Sequence, residues 1–135
     1  MKSITLLFLV LVFGIVACNP LPETKPAKFT RDSTEVLTEM LLTASFSSIE
    51  FKTNSSRSNL NPTRHEIEII LYNGLNLPKN ERGLDSLARV IGSITKHSIS
   101  NIEEFEWVVV TIERKTDSTA LQSLGTFPFL PKELE

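Results

Sequence analysis

Two histidines, one cysteine and a scatter of glutamates carry most of the acid–base, nucleophilic or metal-binding chemistry in this sequence, and their spacing decides what they can do. His65-Glu66 opens like a zinc helix, but that motif needs a second histidine one turn on, where Ile69 stands. Glu66 and Glu68 lie two apart, which on a strand places their Cβ atoms about 7 Å apart on one face, a separation that paired-carboxylate chemistry can use. The same alternation of glutamate with isoleucine is the pattern of a solvated strand face, and the cluster Glu103, Glu104 and Glu106 reads the same way. His97 follows Lys96 where a helix should end, and a cation there interacts favourably with the carbonyl end of the helix dipole. There is no G-x-S-x-G elbow and no phosphate-cradling glycine loop, so the sequence assigns no catalytic residue, no metal site and no cofactor.

Cys18 is the only cysteine, so a disulfide within the chain is excluded. It follows Met1-Lys2-Ser3 and an apolar run from Ile4 to Val16 that stops short of the about 20 residues a membrane-spanning helix needs, but suits the core of a signal peptide. An ordinary secretory site wants small residues at −3 and −1, and cleavage after Ala17 would place Ile15 at −3. Ile15-Val16-Ala17-Cys18 instead resembles the lipobox of bacterial lipoproteins. That resemblance implies cleavage before Cys18 and acylation of the cysteine with chains such as palmitate. Each buried methylene contributes about 0.8 kcal/mol, so more than one chain anchors effectively permanently. The expected location is a Gram-negative cell envelope, with the outer membrane favoured over the inner and the domain periplasmic or surface-exposed.

Every aspartate precedes a serine: Asp32-Ser33-Thr34, Asp85-Ser86-Leu87 and Asp117-Ser118-Thr119. These triplets resemble the acceptor for O-linked sugars on exported proteins of one Gram-negative phylum, which makes Ser33, Ser86 and Ser118 candidate glycosylation sites. Local structure offers another account for two of them, because aspartate is a good helix cap at Asp32 and a good turn former at Asp117.

The sequence divides into a signal peptide (1–17), a lipidated proline-rich tether (18–31) and one domain (32–135). Pro20, Pro22 and Pro26 disfavour helix, and about a dozen extended residues would hold the domain some 35 to 40 Å from the bilayer. Asp32 to Glu35 has capping-box spacing, and Val36, Leu37, Met40, Leu41 and Ala44 follow on one helical face ending near Ser45. Ser48 to Lys52 alternates as a strand, Thr53 to Arg64 has the composition of a long hairpin loop, and His65 to Asn73 alternates again before the Asn73-Gly74 turn. Beyond Pro78, apolar residues from Leu84 to Ile94 recur at helical spacing, ending between His97 and Ser100. Phe105 to Arg114 is a strand apolar on both faces, for which the tail around Phe127, Phe129 and Leu130 is the expected cover.

These elements predict an α+β fold. It is a small two-layer sandwich of topology α-β-β-α-β(-β), with a three- to four-stranded, mainly antiparallel sheet of order 2-1-3 and a fourth edge strand in the tail. The sequence holds 14 basic and 16 acidic residues, a formal net charge of −2, which becomes −3 when Lys2 leaves with the leader. No basic block could neutralise a run of phosphates, so nucleic acid is excluded as a partner. The expected function is a membrane-anchored, non-catalytic module that binds an envelope protein or polymer. The alternative is a hydrolase of envelope material using Glu66, Glu68 or Glu104 with His65 or His97 as acid and base.

Overall fold

The computed structural model describes residues 22–58, 61–117 and 120–135, so Cys18 and Ser118 lie outside it. The first helix, α1, spans Ser33–Leu42 and starts because the Asp32 carboxylate accepts hydrogen bonds from the amides of Thr34 (2.8 Å) and Glu35 (3.2 Å). Its apolar stripe buries Val36 and Met40 completely. Ser45, with φ of 51°, turns the chain into the strand β1, Ser48–Ser58, which pairs antiparallel with β2, Asn61–Tyr72. Helix α2, Glu81–Ser98, begins at Asn80, whose side chain accepts from the Gly83 amide at 2.7 Å. A 3₁₀ turn at Ile102–Glu104 leads into β3, Trp107–Asp117, and β4, Ala120–Phe129, completes the sheet.

The fold is α+β, with both helices on one face of a four-stranded sheet ordered β1-β2-β3-β4. This corrects the expected order 2-1-3. β3 lies beside β2 and parallel to it, from Glu66 opposite Trp107 to Tyr72 opposite Glu113, while both hairpins are antiparallel. The reason lies in the side chains. β1 carries Ser48, Glu50, Lys52 and Asn54 on one face and suits an edge, whereas β2 can use Ile67, Ile69, Leu71 and Ile70 on its two faces and suits the centre. A strand, crossover helix and parallel strand then form the usual compact unit.

The core is the helix-side face of the two central strands. Ile67, Ile69 and Leu71 of β2 and Val108, Val110 and Ile112 of β3 are all fully buried, and α2 covers them with Leu84, Ala88 and Ile91. Leu134 closes this layer against Gly92, where an added Cβ would come within 2.8 Å of the leucine side chain. Among the described residues, every buried side-chain nitrogen or oxygen has a hydrogen-bond partner.

Three further expectations are changed. Thr53 to Arg64 is mostly strand, with Asn54, Ser55 and Ser56 paired to Glu66, His65 and Arg64, because ladder hydrogen bonds override the turn preference of these polar residues. Phe105 precedes β3 and is buried behind the 3₁₀ turn. The tail does form the edge strand β4, yet it does not cover the back of β3: Phe129 and Phe127 stand opposite Val108 and Val110 and share their helix-side face.

The run expected to be a free tether is docked from Pro22 onward. Phe29 forms an antiparallel bridge with Ile99, and its ring lies 5.2 Å from that of Phe51. The Thr30 amide donates to Ser98 O at 2.9 Å and Ser100 donates to Lys28 O at 2.8 Å. Asn101 accepts from the Lys28 amide at 2.8 Å and donates to Pro26 O at 3.1 Å, and Ser55 donates to Glu23 O at 3.2 Å. Phe29→Ala should therefore lower the unfolding free energy by roughly 1–3 kcal/mol in a urea titration, against no change for a free tether. Ile69→Ala in the central layer should cost about 2–5 kcal/mol in the same assay.

Candidate functional site

The pleat that drives Ile67, Ile69 and Leu71 into the core points Glu66, Glu68, Ile70 and Tyr72 the other way, and register aligns them with β1 and β3 in rows. Asn54, Glu66 and Trp107 form one row, Lys52, Glu68, Val109 and Pro128 the next. Glu50, Ile70, Thr111 and Thr126 form the third, and Ser48, Tyr72, Glu113 and Ser123 the fourth. The two helices pack on the opposite face, while Tyr72 and Thr111 on this one are nonetheless buried. Its centre is an apolar strip of half-buried Trp107, Val109 and Ile70, bordered by carboxylates.

Charged and hydroxyl groups on this surface restrain one another. The Tyr72 hydroxyl donates to Glu50 at 2.8 Å, and Lys52 lies 2.6 Å from the same carboxylate. The Lys52 contact, followed by the Tyr72 hydrogen bond, lowers the Glu50 pKa from its ordinary value. Desolvation, together with the bond to anionic Glu50, pushes the Tyr72 phenol up to about 12. The Lys115 ammonium lies 5.5 Å from the centre of the Tyr72 ring. Asn54 donates to Glu68 at 3.0 Å, fixing one of the two carboxylates that sequence spacing had paired.

The other candidate residues are dispersed. Glu66 and Glu68 share the open face, but His65 has the opposite parity on β2 and points to the helix side, where its Nδ1 lies 2.7 Å from Ser55 Oγ. His97 is exposed at the end of α2, with Nδ1 2.8 Å from Ser93 O. Among the described residues neither histidine lies within salt-bridge distance of a carboxylate, and no three metal-binding side chains converge. Glu104 pairs with Lys25 at 3.3 Å and accepts from Asn101, contacts that lower its pKa, while Glu106 pairs with Arg64 at 3.5 Å. Glu103 is exposed on the 3₁₀ turn. The acid–base pairs considered for a hydrolase are therefore not brought together.

The Ser55–His65 contact has no direct sign in the residue pattern, because Ser55 lies in the stretch expected to be a loop. Ser55 donates its proton to Glu23 O, so the pair ties β1, β2 and the N-terminal segment together at the hairpin end, beside an open hollow lined by Pro22, Glu23, Lys25, Thr63 and His65. Of the serines that follow aspartate, Ser33 begins α1 and is exposed, and Ser86 is exposed on α2 with its hydroxyl donating to Arg82 O at 3.0 Å.

Tyr72 is the only tyrosine, so an ultraviolet pH titration reads this site alone. The midpoint should lie near 12 against an ordinary 10.0, and Glu50→Gln should move it down. The folded state holds the phenol proton more tightly than the unfolded chain. The associated stabilisation is thus fully present below about pH 10 and is lost as pH rises toward 12. Comparison with known protein families, with characterised proteins and with solved structures finds no match for this chain.

Proposed function

We propose that this chain is a bacterial envelope lipoprotein, cleaved before Cys18 and anchored through it, whose domain acts as a non-catalytic binding module through the open sheet face. The anchor is supported by the apolar run from Ile4 and the lipobox Ile15-Val16-Ala17-Cys18. No helix among the described residues is long and apolar enough to cross a membrane. The outer membrane is the favoured location, with the domain in the periplasm or at the surface.

One observation carries the binding role: the apolar strip of Trp107, Val109 and Ile70 is only half-buried, on the sheet face opposite the two helices. An apolar centre with an aromatic anchor and a polar rim is the composition of protein–protein contact surfaces, which favours a protein over a polymer as the occupant. The fixed Glu50–Tyr72–Lys52 group would add direction to such a contact.

Mass spectrometry of the native protein tests the anchor. The N-terminal peptide should begin at lipid-modified Cys18, and Cys18→Ser should lose processing and membrane retention; an unmodified, freely soluble protein would refute it. Trp107 is the only tryptophan and reports the face directly. Crosslinking in intact cells from a photoreactive residue at Val109 should trap a discrete envelope protein, and Trp107→Ala should reduce that product at least tenfold. A glycan product would make the partner a polymer, and no product in either class would remove the binding role. Modification at Ser33, Ser86 or Ser118 is read by intact mass, where a value equal to polypeptide plus lipid excludes sugars.

A further inference from the structure

We propose that the end of the sheet carrying Thr63 and His65, where Pro22 is docked, rests against the headgroup plane of the membrane that carries Cys18, with the end at Thr116 directed away from it. This rests on the lipid anchor proposed above and adds the orientation of the domain and the surface that meets the lipid.

The first term is the length of chain left between anchor and fold. Residues from Pro22 onward are docked through Glu23, Pro26, Lys28, Phe29 and Thr30, so only four residue steps separate Cys18 from Pro22. Fully extended, four steps span at most about 14 Å. A free run reaching to Arg31 would have allowed the domain to tumble well clear of the bilayer; this one does not.

The second term is where the docked segment ends. Pro22 shares its hollow with Thr63 and His65, at the outer part of the β1–β2 hairpin. The parallel register places the other hairpin at the far end, since β3 starts level with Glu66 and runs past Tyr72 to Asp117. From the level of Thr63 to that of Thr116 is twelve residue steps, about 40 Å at strand rise. One end of the sheet is therefore held within a short leash of the membrane, and the other stands about 40 Å beyond it.

The described residues of the near end suit contact with headgroups. Glu23, Thr24 and Thr63 are exposed and polar, and the cations Lys25 and Arg64 are paired with Glu104 and Glu106. Among the described residues, the exposed large hydrophobic side chains Leu42, Leu75, Val90 and Leu121 lie on other elements.

The test uses the full-length lipidated protein on phosphatidylethanolamine–phosphatidylglycerol vesicles containing a lipid with a headgroup-attached nitroxide. With Cys18 acylated, Thr63→Cys or Thr116→Cys supplies a single thiol for a fluorophore. The label at 63 should be quenched at least threefold more strongly than the label at 116. Inserting twelve glycine and serine residues between Asn19 and Pro20 should bring the quenching at 63 down toward that at 116. Equal or reversed quenching in protein that floats with the vesicles overturns the orientation and leaves the anchor standing. Strong quenching at 63 that survives the insertion overturns the short leash as its cause. Protein that does not float overturns the anchor, and the orientation with it.

Discussion

The parallel ladder between β2 and β3 is the constraint on which the remaining architecture depends. Two parallel neighbours cannot be joined by a tight turn, so the chain crosses over, and α2 is that crossing. The crossing covers one face of the sheet with a continuous apolar layer, and the six isoleucine, leucine and valine side chains beneath it are fully buried. The same pairing sends the two antiparallel hairpins out from opposite ends of the sheet. Both the open face and the lopsided position of the N-terminal segment follow from it.

On the uncovered face the central strands still present Trp107, Val109 and Ile70, which the pleat excludes from the core. Trp107, Val109 and Ile70 remain half-buried there, and two of the neighbouring carboxylates are engaged. Glu50 serves both Lys52 and Tyr72, and Asn54 serves Glu68. These bonds hold Glu50, Tyr72, Lys52 and Glu68 in defined positions on the face.

The helices were legible in the sequence because their signals are local: Asp32 reads as a cap, and the stripes of Val36 and Met40, or Leu84, Ala88 and Ile91, repeat with helical period. The faces of β2 and the middle of β3 were legible for the same reason, since alternation alone assigns Ile67 and Ile69 to one side and Glu66 and Glu68 to the other. Alternation does not name a strand's neighbour, so the placement of β3 beside β2 could not be read. Asn54, Ser55 and Ser56 look like turn residues until a partner strand supplies their hydrogen bonds. Losing that part of β1 also hid the Ser55–His65 contact, which exists only because register sets those residues opposite one another. The docking of residues 22–31 was hidden by Pro22 and Pro26, which do enforce extended backbone but say nothing about whether it lies free or against a surface.

That docked segment also has a mechanical meaning. A pull on the chain ahead of Pro22 reaches the bond between Ser55 and Glu23 first, then those at Pro26, Lys28 and Thr30, each a separate small attachment. They can yield one after another, releasing up to ten residues, about 33 Å of extended chain, before tension bears on the sheet. Residues 22–31 thus form a serial strain relief, which lets a load be taken up by lengthening at the periphery while the central ladder keeps its register.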